Sequence, residues 1–368
     1  MTLNARARTV LLACAVAATF VAVTGCATGA TPTAPSSSET AIPAVTLTSS
    51  PAPTDSSTSV YGVKLDALVD HTTLRTTEGQ AFQLPAPADY VLRIPAGWLY
   101  GKSTGASAVY LLTPDGTARA LAATIDRQGF EMPGAPVVSA DGTRIAWAAG
   151  GSVHTGQITT GGLTGIVNSP APGDTWPLTW VGTRVILGHT YAPGCCGYNK
   201  AEYDVWDPAA GNFAPHWTRD ISPIYGPVPT GVDLFAVKST DSTGTGCLAP
   251  PDAVKDLSAT TTICGLGLHY GSLMSAVSPD GRHIVDLDFD SGSTMIMVDL
   301  TTVTETKASL HTCSGDQPLA WEDSTTAVIT DQTTHAVYRC AVDNSKSGPV
   351  AGLTLADNLQ FVPRIGLG

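Results

Sequence analysis

The chain has 368 residues, of which 43 % are hydrophobic and 14 % charged, and its formal net charge is −12. That acidity excludes a nucleic-acid-binding role, which needs a basic footprint against the phosphate backbone. No apolar run is long enough to cross a bilayer as a helix.

The N-terminus carries Arg6 and Arg8, then an apolar run from Val10 to Val23 broken only by Thr19. Such a run fits the hydrophobic region of a secretion signal. It ends at Val23-Thr24-Gly25-Cys26, which resembles the bacterial lipobox. The resemblance implies cleavage after residue 25, a lipid on Cys26, and an extracytoplasmic protein held to the membrane by that anchor alone. Removal of 1–25 takes away two arginines and no acid, so the remaining chain is more acidic than the whole.

Residues 26–59 are Thr, Ser, Pro and Ala with almost no large apolar side chains. They have too little to bury and are expected to form a disordered tether. Its reach as a flexible coil is on the order of 30 Å.

From residue 60 to 368 short runs rich in Val, Ile, Leu, Tyr and Thr alternate with Gly, Pro, Asp and Asn. This is the pattern of an all-β domain. Val138-Ser139-Ala140-Asp141-Gly142-Thr143-Arg144-Ile145 and Val277-Ser278-Pro279-Asp280-Gly281-Arg282-His283-Ile284 are two copies of one hairpin. Asp-Gly supplies the tight turn. Weaker copies run from Pro177 to Ile186, from Pro318 to Ile329, from Pro227 to Val237, and from Leu92 to Tyr100, with a last one at Leu359–Val362. Successive anchors lie 41 to 49 residues apart, which is the period of a β-propeller blade.

The last anchor offers one strand, while Val60–Leu68, Thr72–Thr76 and Gln80–Leu84 offer three with no anchor before them. Together they make one blade, closed by pairing the two termini so that neither edge stays bare. Seven four-stranded blades follow, with six and eight as alternatives. A monomer is expected.

The Ser139–Gly142 and Ser278–Gly281 segments look like the repeat of TolB-like, WD40-like bacterial propellers; Ala140 stands where that repeat has Pro. The resemblance implies a closed propeller that binds partners or serves as a scaffold, and no catalytic set. The expected partner is a cell-envelope protein, peptide or glycan. The alternative is a hydrolase or lyase with its site at the channel mouth, assisted by Ca²⁺.

Six cysteines follow Cys26: Cys195, Cys196, Cys247, Cys264, Cys313 and Cys340. An even number outside the cytoplasm points to disulfides. Nearest-neighbour pairing gives 195–196, 247–264 and 313–340, while cross-links from Cys195 or Cys196 to Cys247 or Cys264 remain open. Their spacing lacks a structural-zinc pattern. Asp286, Asp288 and Asp290 alternate and so share one face of a strand; three close carboxylates suit a hard cation such as Ca²⁺. No other cofactor is expected.

Two long loops, 189–200 and 239–263, follow the second strands of adjacent units and hold Tyr191 and Tyr198. Function tends to sit on such loops over a rigid scaffold. Trp176, Tyr225, His269, Tyr270 and Gln317 open first strands and are expected to rim the same end. Two chance matches carry no chemistry: Ala96–Ser103 has a phosphate-loop spacing filled by Trp98, Leu99 and Tyr100, and Gly101–Gly105 reads G-x-S-x-G in a hairpin.

Overall fold

The structure is a computed structural model that describes residues 45–46, 50–51, 62–102, 106–125, 136–171, 175–189, 203–218, 221–225, 235–239, 246–249, 254–255, 258–259, 277–280, 282–287, 294–299, 309–355 and 358–365. Residues from Ile42 onward form one compact unit. Its described residues are arranged in seven antiparallel sheets of three to five strands and a two-stranded ladder, Val254–Lys255 with Ser258–Ala259.

Each sheet is a simple up-and-down meander. Tyr90–Ile94, Gly97–Gly101, Ser107–Leu112 and Thr117–Ile125 form the first. Val137–Val138, Arg144–Ala149, Ser152–Thr159 and Gly162–Asn168 form the second. The third is Thr175–Val181, Arg184–His189, Tyr203–Asp207 and Asn212–Thr218. Ile221–Tyr225, Phe235–Ser239 and Gly246–Ala249 follow. His283–Leu287, Thr294–Asp299 and Ser309–Ser314 come next, with Val277 bridging to Ile284. The sixth is Gln317–Asp323, Thr326–Thr330, Ala336–Ala341 and Gly348–Thr354.

The seventh sheet joins the two ends of the chain. Ala67–Val69, Thr73–Arg75 and Gln80–Gln83 pair in turn, and Leu359–Phe361 lies alongside Ala67–Val69. The C-terminal strand thus takes the place that a first strand holds in the other sheets. The strands fall close to their expected positions, except that the first is the shorter Ala67–Val69. Four residues upstream also pair: Val45–Thr46 along Thr117–Ala118, and Ser50–Pro51 along Gln80–Ala81.

Strand residues alternate between two faces, and in the inner strands both faces are buried against neighbouring sheets. Ile145 and Trp147 pack with Leu99, Val109 and Leu111 of the preceding sheet. Ala146, between them, packs with Trp180, Val185 and Leu187 of the following one. Val285, Met295 and Met297 meet Trp321, Ala327 and Ile329. Ala320, Val328 and Val337 meet Leu359 and Phe361. Leu68, Leu74 and Phe82 then meet Trp98, Tyr100 and Leu112 of the first sheet. Meandering sheets that pack face to face in chain order, with the last returning to the first, make a β-propeller.

Candidate functional site

The repeat motif is a clasp for its own turn. Ser139 Oγ donates to Asp141 Oδ1 at 2.5 Å and accepts from the Arg144 N–H at 2.9 Å. Asp141 Oδ1 also accepts from the Thr143 N–H at 3.0 Å. Burial raises the Asp141 pKa, but the bonds from Ser139 and Thr143 and the charge of Arg144 outweigh it and hold the carboxyl below its usual range. Ser278, Asp280 and Arg282 repeat the pattern, with Ser278 Oγ to Asp280 Oδ1 at 2.6 Å and the Arg282 N–H to Asp280 Oδ1 at 3.1 Å. Gly281 lies outside the described residues. Ser139 and Ser278 are almost fully buried, and their hydroxyls are spent on the hairpin.

The same clasp recurs at the outer turn of the first sheet. Thr113 Oγ1 donates to Asp115, which accepts the Thr117 N–H. The Asp115 carboxyl is held below its usual range, first by the Thr113 hydroxyl and then by the Thr117 N–H.

Two buried carboxylates lock the ring where its ends meet. Asp66 accepts from Trp98 Nε1 at 2.7 Å, the Thr77 N–H at 2.8 Å and Thr77 Oγ1 at 3.1 Å. Glu322 accepts from Arg339 Nε and Nη2 at 2.8 and 3.0 Å and from the Lys64 N–H at 2.8 Å. These acids are saturated with donors and hold the closing sheet to its neighbours.

The expected site residues are distributed as follows. Trp176 sits on the first strand of its sheet, partly buried, with its indole across Gly188 (a Cβ there would lie 2.9 Å from the ring). Asp286 is buried opposite Ile296. Asp288, Asp290, Tyr191, Tyr198, His269 and Tyr270, and most of both long loops, lie outside the described residues. Tyr225 and Gln317 are on strands, each described by its backbone alone. Cys26, Cys195, Cys196 and Cys264 also lie outside, and Cys247 is described by its backbone. Cys313 and Cys340 are disulfide-bonded, as nearest-neighbour pairing predicts, with Cα atoms 5.6 Å apart. The phosphate-loop spacing falls on Gly97–Gly101, a fully buried strand.

Sequence reasoning missed two features. The first is the edge strand Gly162–Asn168, which exposes Ile166 and Val167 at 41 % each. Beside it a cavity of about 180 Å³ is lined by Arg144, Gln157, Val167, Trp180, Thr183 and Pro208. Arg144 stacks on the Trp180 ring at 4.7 Å and donates to the Gly182 carbonyl at 2.7 Å. The second is His311, whose Nε2 is buried without a hydrogen-bond partner. Its signal was legible: Met295-x-Met297 and His311-x-Cys313 put soft ligands on one face of two strands.

No protein-family model and no curated protein matches the chain. Among solved structures it is similar to an oligogalacturonate lyase at 13 % identity and TM-score 0.49, covering 86 % of this chain and 88 % of that one. It is similar to a periplasmic gluconolactonase from Pseudomonas aeruginosa at 14 % identity and TM-score 0.45, covering 81 % and 99 %. TolB from Acinetobacter baumannii matches at 12 % identity and TM-score 0.40, covering 81 % of this chain and 66 % of TolB. Likenesses this distant bear on no activity; the fold class rests on the sheets and their packing.

Proposed function

We propose that this chain is a lipid-anchored, extracytoplasmic propeller of seven blades that binds a protein partner by adding one of its strands to an open sheet edge. The lipobox-like Cys26 supports the anchor, and the seven sheets among the described residues support the blade count. The observation that carries the binding reading is the outer edge strand Gly162–Asn168. Its Ile166 and Val167 are the exposed large hydrophobic residues among those described, and an edge strand offers unpaired N–H and C=O groups. Strand addition of this kind takes affinity from the main chain and specificity from alternate side chains.

The occupant is an extended, partly apolar segment. The chain itself supplies the precedent, since Val45–Thr46 and Ser50–Pro51 add to the outer edges of two other sheets. A photo-cross-linker at Ile166 or Val167, in the cells that make the protein, should form an adduct with an extended segment of an envelope protein. The double change Ile166→Glu, Val167→Glu should abolish it. Adducts only from 189–200 or 239–263 would move the surface to the long loops, and a glycan adduct would overturn the protein assignment. Release of the Cys26→Ala chain from the membrane tests the anchor.

A further inference from the structure

Cys313 lies on Ser309–Ser314 and Cys340 on Ala336–Ala341, so their disulfide ties the last described strand of one sheet to the third strand of the next. His311 stands two residues before Cys313 and therefore on the same face. Across the ladder His311 pairs with Met297, and Cys313 pairs with Met295. Both methionines are fully buried, in the same core as the two cysteines. The ligand atoms of His311, Cys313 and Cys340 lie within 4.8 Å of one another.

The imidazole is oriented as a metal ligand would be. One ring nitrogen is held by the Ala341 backbone, a common means of fixing the tautomer of a ligating histidine. The other, Nε2, is buried with no partner in hydrogen-bond range. His311 is only half-buried, which leaves a way in from solvent. The surroundings are thioether, sulfur and hydrocarbon.

We propose that reduction of the Cys313–Cys340 disulfide opens a site for one Cu(I) ion, bound by the two thiolates and His311 Nε2, with the Met295 and Met297 thioethers around it. A dithiol delivers two electrons and two protons to the disulfide and leaves as its own disulfide. The ion then forms two Cu–S bonds and one Cu–N bond while both thiol protons pass to solvent. Its oxidation state does not change. Soft sulfur ligands select Cu(I). Zn²⁺ in a structural site takes four thiolate or imidazole ligands in a tetrahedron, and the described residues here offer three.

The test uses the full chain, reduced with a phosphine, freed of reductant without oxygen, and titrated with Cu(I) against a chromophoric chelator. Other thiols in the chain also take copper, so the reading is a difference between variants. The parent should bind one more Cu(I) than Cys313→Ser, Cys340→Ser, and the difference X-ray absorption spectrum should show two sulfur neighbours and one nitrogen. The oxidised chain should lack that ion. His311→Leu keeps the disulfide for folding and both thiols after reduction; it should weaken the site at least tenfold. Equal uptake by parent and double variant, an unchanged affinity in His311→Leu, or displacement of the ion by equimolar Zn²⁺ would overturn the proposal.

Discussion

Asp66 shows how much the ring asks of one side chain. It is 2 % exposed and takes three hydrogen bonds, one of them from the indole of Trp98 across the closure. Asp66→Ala strands the Trp98 and Thr77 N–H groups in a buried place, so a loss of about 2–5 kcal/mol is expected in denaturant unfolding. Asp66→Asn keeps an acceptor and should lose less. The turn acids work in the opposite exposure range. Asp141 and Asp115 have folded pKa values below the usual one. Stability from a depressed carboxyl is present above the unfolded pKa and is lost as pH falls through the folded one. The contribution of these two carboxyls to the melting temperature should therefore hold from neutrality down to pH of about 4 and fall below it. Asp141→Asn should flatten part of that fall. A melting temperature that rises on acidification would contradict these assignments.

At the scale of the element, the Asp-Gly hairpin was the most legible feature of the sequence, because turn chemistry is local. Gly142 adopts φ of +70°, and a Cβ there would lie 2.4 Å from Pro95 Cδ and 3.1 Å from the Ile365 carbonyl. Gly79 has φ of +81° with nothing within 4 Å of such a Cβ. Gly79→Ala should cost only the backbone strain, about 1 kcal/mol. Gly142→Ala adds a collision between sheets and should cost roughly twice as much or more. Equal losses in paired urea titrations would show that the contact with Pro95 yields freely. The alternating apolar strands were legible for the same local reason, as was the 313–340 pairing of near neighbours. The Asp66–Trp98 and Lys64–Glu322 contacts were not, because the packing of the closing sheet on its neighbours sets them and no periodicity records it. The edge at Ile166 and Val167 escaped notice because its repeat reads like any other strand; only the order of strands in the sheet shows that it lies outermost.

For the whole molecule, closure is the decisive event. Leu359 and Phe361 are 8 % and 2 % exposed, packed on Ala67 and Val328, and beyond them the Arg93 N–H donates to the Pro363 carbonyl and the Ile365 N–H to the Arg93 carbonyl. A chain ending at residue 355 loses the strand, its apolar contacts and these bonds together. It should unfold without a single cooperative transition, and adding a peptide of residues 356–368 should restore part of the cooperativity. A truncated chain that unfolds like the parent would mean that the seventh sheet stands without its last strand.

Pairing Ala67 with Phe361 also gives the molecule a schedule. Ala67–Val69 is made early and must wait for Leu359–Phe361, a partner synthesised long after it. Until then Ala67–Val69 has one side bare, and the sheets that follow can stack only as an open arc. Joining residues so far apart along the chain is slow, because loop entropy must be overcome before the contact gives anything back. A protein built this way spends its youth with a sticky edge, which stays bare until Leu359–Phe361 arrives to cover it.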